Sequence, residues 1–311
     1  MNTLGPIEAS LRTDQGLIRD HNEDFVTCLE PNTAEEAAQN GWLYVVADGV
    51  GGADAGEVAS QYASERTINH FLENSDTADW GERLLQAMQG ANDDLRQMVV
   101  DRNDNKRMAT TMVAALIYEQ TALIANVGDS RGYLWHSNQL TQLTRDQSLV
   151  AKLVEEGAIT ESEAINHPHK NVILYSIGSE RVPKIDLFEH NLTAGDMLVL
   201  CSDGLTRHVD DEEISEIIQQ QGPAEATQTL IEMANERGGQ DNISVAVIRY
   251  GAAQQKRPSS PPQNRAATTV TPGPAHSQAT ASGRSFLWMY TIVLSMVQTL
   301  LILLVWFLLH I

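Results

Sequence analysis

Three times in this chain an apolar run ends in a small residue and then an aspartate: Val45-Val46-Ala47-Asp48-Gly49, Ala125-Asn126-Val127-Gly128-Asp129-Ser130 and Leu200-Cys201-Ser202-Asp203-Gly204. A fourth, Asp241 in Gln240-Asp241-Asn242, precedes the apolar run that begins at Ile243. A carboxylate at the edge of an apolar sheet loses hydration, which is unfavourable by several kcal/mol unless a cation or hydrogen-bond donors compensate. No Lys or Arg occurs from residue 31 to 65 or from 185 to 206, so neither Asp48 nor Asp203 is expected to have a basic neighbour in sequence. The four aspartates should therefore converge on a metal ion or on a distant basic residue. Asp-Gly is also an ordinary turn dipeptide, and any one of them could simply cap a turn. The repeated strand-end placement favours a shared role. An oxygen-only donor set without Cys or clustered His suits hard ions, Mg²⁺ or Mn²⁺, better than zinc. His167-Pro168-His169 lacks further ligands at metal-binding spacing and reads as a polar loop.

The elements that would hold these residues are short. Apolar or alternating runs predict strands over residues 42–47, 111–118, 121–127, 197–202 and 242–250. Helical spacing predicts helices over 54–72, with Val58, Tyr62 and Ile68 on one face, and over 82–99, with Leu84, Leu85, Met88 and Leu95. Glu119-Gln120 between two of the strands reads as a hairpin turn. Strands and helices do not alternate regularly, so an α+β fold with antiparallel sheets fits better than a doubly wound parallel sheet.

Five segments stand in the order and approximate spacing seen in the PP2C-type (PPM) metal-dependent protein phosphatases. They are Arg19-Asp20-His21-Asn22-Glu23-Asp24, Ala47-Asp48-Gly49-Val50-Gly51-Gly52, Gly128-Asp129-Ser130-Arg131, Ser202-Asp203-Gly204-Leu205 and Gln240-Asp241-Asn242. Met108-Ala109-Thr110-Thr111 and Asp146-Gln147-Ser148-Leu149 also resemble family segments, so the similarity spans nearly all of residues 8–249. The resemblance implies a four-layer α-β-β-α sandwich of two antiparallel sheets flanked by helices, with a binuclear Mn²⁺ or Mg²⁺ centre at one end. It implies a serine/threonine phosphatase acting on phosphorylated proteins, a cognate Ser/Thr kinase or its targets among them. Asp48 resembles the carboxylate that bridges the two ions, the Gly49 carbonyl a ligand of one, and Asp203 and Asp241 ligands of the other. Asp129 with Asp203 resembles the pair that holds a third metal in bacterial members. Glu23 and Asp24 resemble groups that hold metal-bound waters. Arg19 resembles the phosphate-binding arginine, whose planar fork suits two phosphate oxygens.

In that chemistry two divalent ions bring the pKa of a shared water toward neutrality, so that hydroxide attacks phosphorus in line. Many eukaryotic relatives carry a His after the Asp-Gly; this chain has Val50, which cannot protonate the leaving alkoxide, and a metal-bound water or His21 is left for that step. Residues 146–178 resemble the flap beside the family's active site, although Leu174-Tyr175-Ser176-Ile177-Gly178 departs from the usual Thr-Arg-Ala-Leu-Gly. A helical piece over 149–156 within it reads equally well as surface packing. Ser130 has no strand-turn-helix elbow around it and is not read as a nucleophile. Two other classes compete: a binding module of the same fold that does not turn over, and a membrane scaffold. The complete set of aspartates with Arg19 argues against both.

Charge is uneven along the 311 residues. The segment 251–311 holds Lys256, Arg257, Arg265 and Arg284 and no acid, leaving 17 basic and 41 acidic groups before it, a net −24. Such a domain repels phosphate backbones, which excludes nucleic acid as an expected partner. Two cysteines and no secretory signal fit a reducing compartment without a disulfide framework. The phosphatase-like domain is expected over 1–251. Residues 252–285 carry five of the ten prolines and no aromatic residue and read as a disordered linker. Residues 286–311 contain no charge and exceed the ~20 residues a membrane-spanning helix requires. Trp288, Tyr290 and Trp306 resemble interfacial belts, and the basic residues on the N-terminal side, Arg284 nearest, place the domain in the cytoplasm with this helix as its C-terminal anchor.

Overall fold

The computed structural model describes residues 7–51, 55–102 and 108–251. All of them belong to the first of two compact units, Met1–Lys256. The linker expected over 252–285 and the apolar segment 286–311 lie outside the described residues, among which no helix is long and apolar enough to cross a membrane.

In chain order the described elements are β1 (Glu8–Asp14), β2 (Asp24–Leu29), α1 (Ala34–Asn40), β3 (Trp42–Val50), α2 (Ala55–Glu73), α3 (Trp80–Arg102), β4 (Ala109–Thr110), β5 (Met112–Tyr118), β6 (Thr121–Val127) and β7 (Arg131–His136). There follow β8 (Gln139–Gln142), α4 (Leu149–Glu155), α5 (Glu161–Ile165), β9 (Asp186–Asn191), β10 (Met197–Cys201), α6 (Asp203–Thr206), α7 (Asp211–Gln220), α8 (Pro223–Glu236) and β11 (Ile243–Arg249). One sheet runs β1-β11-β10-β7-β8 and the other β2-β3-β5-β6-β9, with β4 pairing β3. Every pairing is antiparallel.

Period-two alternation explains why the central strands read as unbroken apolar runs: both of their faces are covered. In β3, Leu43 and Val45 join a core with α2 and α3, whereas Tyr44 and Val46 face the second sheet. Leu198 and Leu200 of β10 meet them in that inter-sheet core, while Val199 and Cys201 pack with Ile214 of α7 and Leu230 of α8. Three apolar layers thus separate four layers of secondary structure. The expected hairpin is present, with Met112 opposite Val127 and Tyr118 opposite Thr121. Its turn places Glu119 at φ +49°, the left-handed backbone that a tight two-residue connection requires.

Helix α2 buries Ala55, Gly56, Ala59, Ser60, Ala63, Ser64 and Thr67, small residues about one turn apart, which lets its backbone lie close on β3. At its far end Arg83 of α3 is buried without a carboxylate partner among the described residues. Its guanidinium donates to the carbonyls of Phe71 (2.7 Å) and Gln39 (2.8 Å) and to Asn40 Oδ1 (2.9 Å), and lies 3.9 Å from the Phe71 ring centre. Burial lowers its pKa from the usual arginine value. Both cysteines are free, and burial pushes the Cys201 thiol up to about 12, so it is an inert core group.

Candidate metal centre

Antiparallel pairing sets the end of one strand beside the start of the next, so one end of both sheets collects the loops that carry the acidic residues. Asp24, at the start of β2, is the register partner of Asp48 near the end of β3. Met112 opposite Val127 brings Gly128-Asp129 out of the sheet at that same end. In the second sheet Cys201 lies opposite Val245, which sets Asp203 beside Asp241, and Asp14 opposite Ile243 starts the loop to Arg19 there too. Hydrogen bonds then fasten one sheet to the other. Ser202 Oγ donates to Asp24 Oδ2 at 2.7 Å, and the Glu23 amide donates to Asn242 Oδ1 at 2.8 Å. Asn242 Nδ2 donates to the carbonyls of Gln15 (2.8 Å) and His21 (2.9 Å).

Backbone approaches are close enough to require glycine. A Cβ on Gly204 would lie 1.9 Å from the Asn242 carbonyl oxygen, and one on Gly49 would lie 2.3 Å from the Gly56 carbonyl oxygen. A Cβ on Gly56 would meet the Glu23 carboxylate at 2.8 Å and the Gly49 oxygen at 3.1 Å. The Gly49 carbonyl and the Glu23 carboxylate therefore face the same bare stretch of α2. The Gly49 amide donates to the Glu23 carbonyl at 3.0 Å, and Ser60 Oγ donates to that carbonyl at 2.6 Å.

The electrostatics are those of acids crowded away from water. Burial drives Asp48 well above the usual carboxylate range, with Asp24, Asp203, Asp129 and Asp241 adding repulsion. Burial likewise pushes Asp24 up to about 7, against the opposing Ser202 hydroxyl, and Asp129 up to about 7, with Asp203 and Asp146 repelling it. Asp203 and Glu23 are raised for the same first reason, opposed by Arg207 and Arg19 respectively. Three buried carboxylate oxygens, Glu23 Oε1, Asp24 Oδ1 and Asp203 Oδ1, have no hydrogen-bond partner among the described residues. Orphaned acceptors of that kind, all oxygen and all anionic, are what a hard divalent cation binds.

Two arginines face the cluster. Arg19 Nη2 stands 2.7 Å from Asp241 Oδ1, its side chain 46% exposed and thus open to a ligand on the outer side. Arg207 pairs with Asp203 Oδ2 and, at 3.3 Å, with Asp241 Oδ2. The expectation that Asp203 has no basic neighbour is therefore corrected. Arg207 begins one residue past the base-free stretch, and α6 carries it back over Asp203 at i+4. Among the described residues no three acidic, His or Cys side chains already stand in coordination range of one point. Asp203 and Asp241 are turned onto the guanidinium groups instead.

Arg19, Glu23, Asp24, Asp48, Gly49, Asp129, Asp203 and Asp241 all lie at this end of the sandwich. His21 and Val50 are exposed at its rim, whereas His167 and His169 sit on a surface loop with ring centres 5.7 Å apart, without an acidic partner among the described residues. Ser130 shares a 2.7 Å hydrogen bond with Thr111 in a strand-to-strand turn. Sequence reasoning missed Arg207, Ser202 and Asn242. Residues 146–178 leave and return close to the centre. The amide of Leu174 donates to the Gln147 carbonyl at 2.8 Å, and Ile177 pairs with Thr110, whose hydroxyl donates to the Asp48 carbonyl at 2.8 Å. Helix α4 buries no residue, as surface packing would have it.

A family model described as protein phosphatase 2C matches residues 22–245. The serine/threonine phosphatase Stp of Listeria monocytogenes is 38% identical over 258 residues, covering 82% of this chain and all of the relative. The crystal structure of the Mycobacterium tuberculosis serine/threonine phosphatase PstP/Ppp superposes with a TM-score of 0.70 at 36% identity, over 78% of this chain and 98% of that one. A structure of the PstP catalytic domain in complex with two manganese ions gives 0.67 at 35% identity, over 79% and 99%.

Proposed function

This chain belongs to the protein phosphatase 2C family, and from that premise we propose that it hydrolyses phosphoserine and phosphothreonine in proteins at a binuclear Mn²⁺ or Mg²⁺ centre. The observation that carries the metal reading is the set of buried carboxylates with orphaned oxygens at one end of the two sheets. Asp48 would bridge two ions, the Gly49 carbonyl would serve one, and Asp203 and Asp241 the other, with Asp129 and Asp203 available to a third. When bound, such ions supply a nucleophile from water and neutralise developing charge.

The chain's own residues do the rest. Arg19, half exposed beside Asp241, presents donors to the phosphoryl oxygens. Glu23 and Asp24 border the ligands and fix what lies between them, because Ser202, Ser60 and the Gly49 amide hold their side chain or backbone in place. Val50 cannot act as an acid, so His21 on the rim or water protonates the leaving alkoxide. Residues 286–311 would anchor the chain in a membrane with its phosphatase domain on the cytoplasmic side, where substrates would include a Ser/Thr kinase or its targets. The uncharged run and the basic residues before it support this.

The test is hydrolysis of a phosphothreonine peptide by the full chain. Activity should appear with Mn²⁺, vanish with chelator, and be lost in Asp203→Ala. Undiminished activity in Asp48→Ala would remove the metal-centre mechanism. Deleting residues 286–311 should release the protein from membranes, and sedimentation of the truncated chain with them would contradict the anchor.

A further inference from the structure

Arg207 touches the acidic cluster, yet the proposed chemistry gives it no task. It is held at the end of α6 one helical turn after Asp203, its amide donating to the Asp203 carbonyl at 3.0 Å. Its guanidinium reaches back over its own helical turn to Asp203 Oδ2 and across to the loop before β11, to Asp241 Oδ2 at 3.3 Å, and stays only 29% exposed. Asp129 feels its charge as well, as the main influence opposing its raised pKa. The contacts are made with the two carboxylates assigned to one metal ion, and on one oxygen of each: Asp203 Oδ1 has no partner among the described residues, while Asp241 Oδ1 accepts from Arg19 and from the Asn242 amide at 3.0 Å.

We infer that Arg207 is a built-in counter-cation of the centre: it shares Asp203 and Asp241 with the metal, holds α6 to the Asp241 loop before an ion arrives, and thereby sets how tightly the ion binds. This rests on the reading of Asp203 and Asp241 as ligands. A fixed guanidinium lowers the local negative potential and occupies one acceptor on each ligand, so it opposes a divalent cation. The same contact neutralises carboxylates that would otherwise repel one another, so it stabilises the metal-free fold. The two effects have opposite signs on removal of Arg207, which separates this role from a merely structural one.

The experiment is a Mn²⁺ titration of the full chain and of Arg207→Gln by calorimetry, with melting curves in chelator and in excess Mn²⁺. Arg207→Gln should bind Mn²⁺ more tightly, by roughly tenfold. It should melt at a lower temperature than the parent in chelator, and the gap should close in Mn²⁺. Equal or weaker Mn²⁺ binding by Arg207→Gln would overturn the inference. If that variant does not fold in chelator, Arg207→Lys decides. The lysine keeps the charge but cannot fork onto two carboxylates, so a smaller tightening is expected, and unchanged or weaker binding would overturn the inference. A parent chain that binds no Mn²⁺ at all would instead remove the metal-centre reading beneath it.

Discussion

Asp24 lies directly opposite Asp48 in the β2–β3 register, and its other neighbour across the sandwich is the Ser202 hydroxyl at 2.7 Å. One acid of a ligand strand is thus pinned by a residue of the other sheet, immediately before Asp203. The centre belongs to neither sheet alone, and its geometry depends on how the two pack.

That arrangement has a pH signature. Asp24 and Asp129 rise from an ordinary 3.8 to about 7. The folded chain then holds more protons than the unfolded one between those values, and stability present below them is lost as pH rises through about 7. In chelator the melting temperature should fall as pH rises from about 4 to about 7 and level off above that, whereas excess Mn²⁺ should blunt the fall by displacing the protons. The trend should weaken in Asp24→Asn; an unchanged slope in that variant would count against the assignment.

Arg19→Ala should raise KM for a phosphothreonine peptide by roughly tenfold or more, since a charge-assisted donor pair is lost, with a smaller change in Mn²⁺ binding. Steady-state kinetics read the first and calorimetry the second. A variant with parental KM would show that Arg19 does not touch phosphate.

Gly204→Ala sets a methyl group 1.9 Å from the Asn242 carbonyl, next to Asp241. The backbone must yield, and a loss of about 2 kcal/mol or more in chemical denaturation is expected, together with weaker Mn²⁺ binding. A variant as stable as the parent would mean that this contact is not tight in solution.

Arg83 is far from the centre and tests the fold alone. Arg83→Met keeps apolar contact with Phe71 but leaves the carbonyls of Phe71 and Gln39 and the Asn40 side chain without their donor. Denaturation should show a loss of about 2–4 kcal/mol, while activity per folded molecule is retained.

The central strands were legible because β3, β5, β6, β10 and β11 are covered on both faces and so spell continuous apolar runs. Outer strands were not: β9, Asp-Leu-Phe-Glu-His-Asn, lies at a sheet edge and is only partly buried, so its composition resembles a loop. Helix α7 did leave a mark, a capping box between Asp210 and Glu213 ahead of Ile214 and Ile218, and Pro223 opens α8 at its first turn. At the centre, the strand-end aspartates and Arg19 were readable as types and spacings. Ser202 and Asn242 were not, because their partners Asp24 and Glu23 lie 178 and 219 residues away along the chain. Arg207 escaped for a local reason: α6 has only four residues, too few to show a period, yet it is the helical turn that brings Arg207 back over Asp203.

The most direct measurement is anomalous diffraction at the manganese edge from crystals of the chain grown with Mn²⁺. Two strong peaks are expected among Asp48, the Gly49 carbonyl, Asp203 and Asp241, with Arg19 facing them from the rim. Peaks elsewhere, or none, with those oxygens still turned onto Arg19 and Arg207 would contradict that expectation.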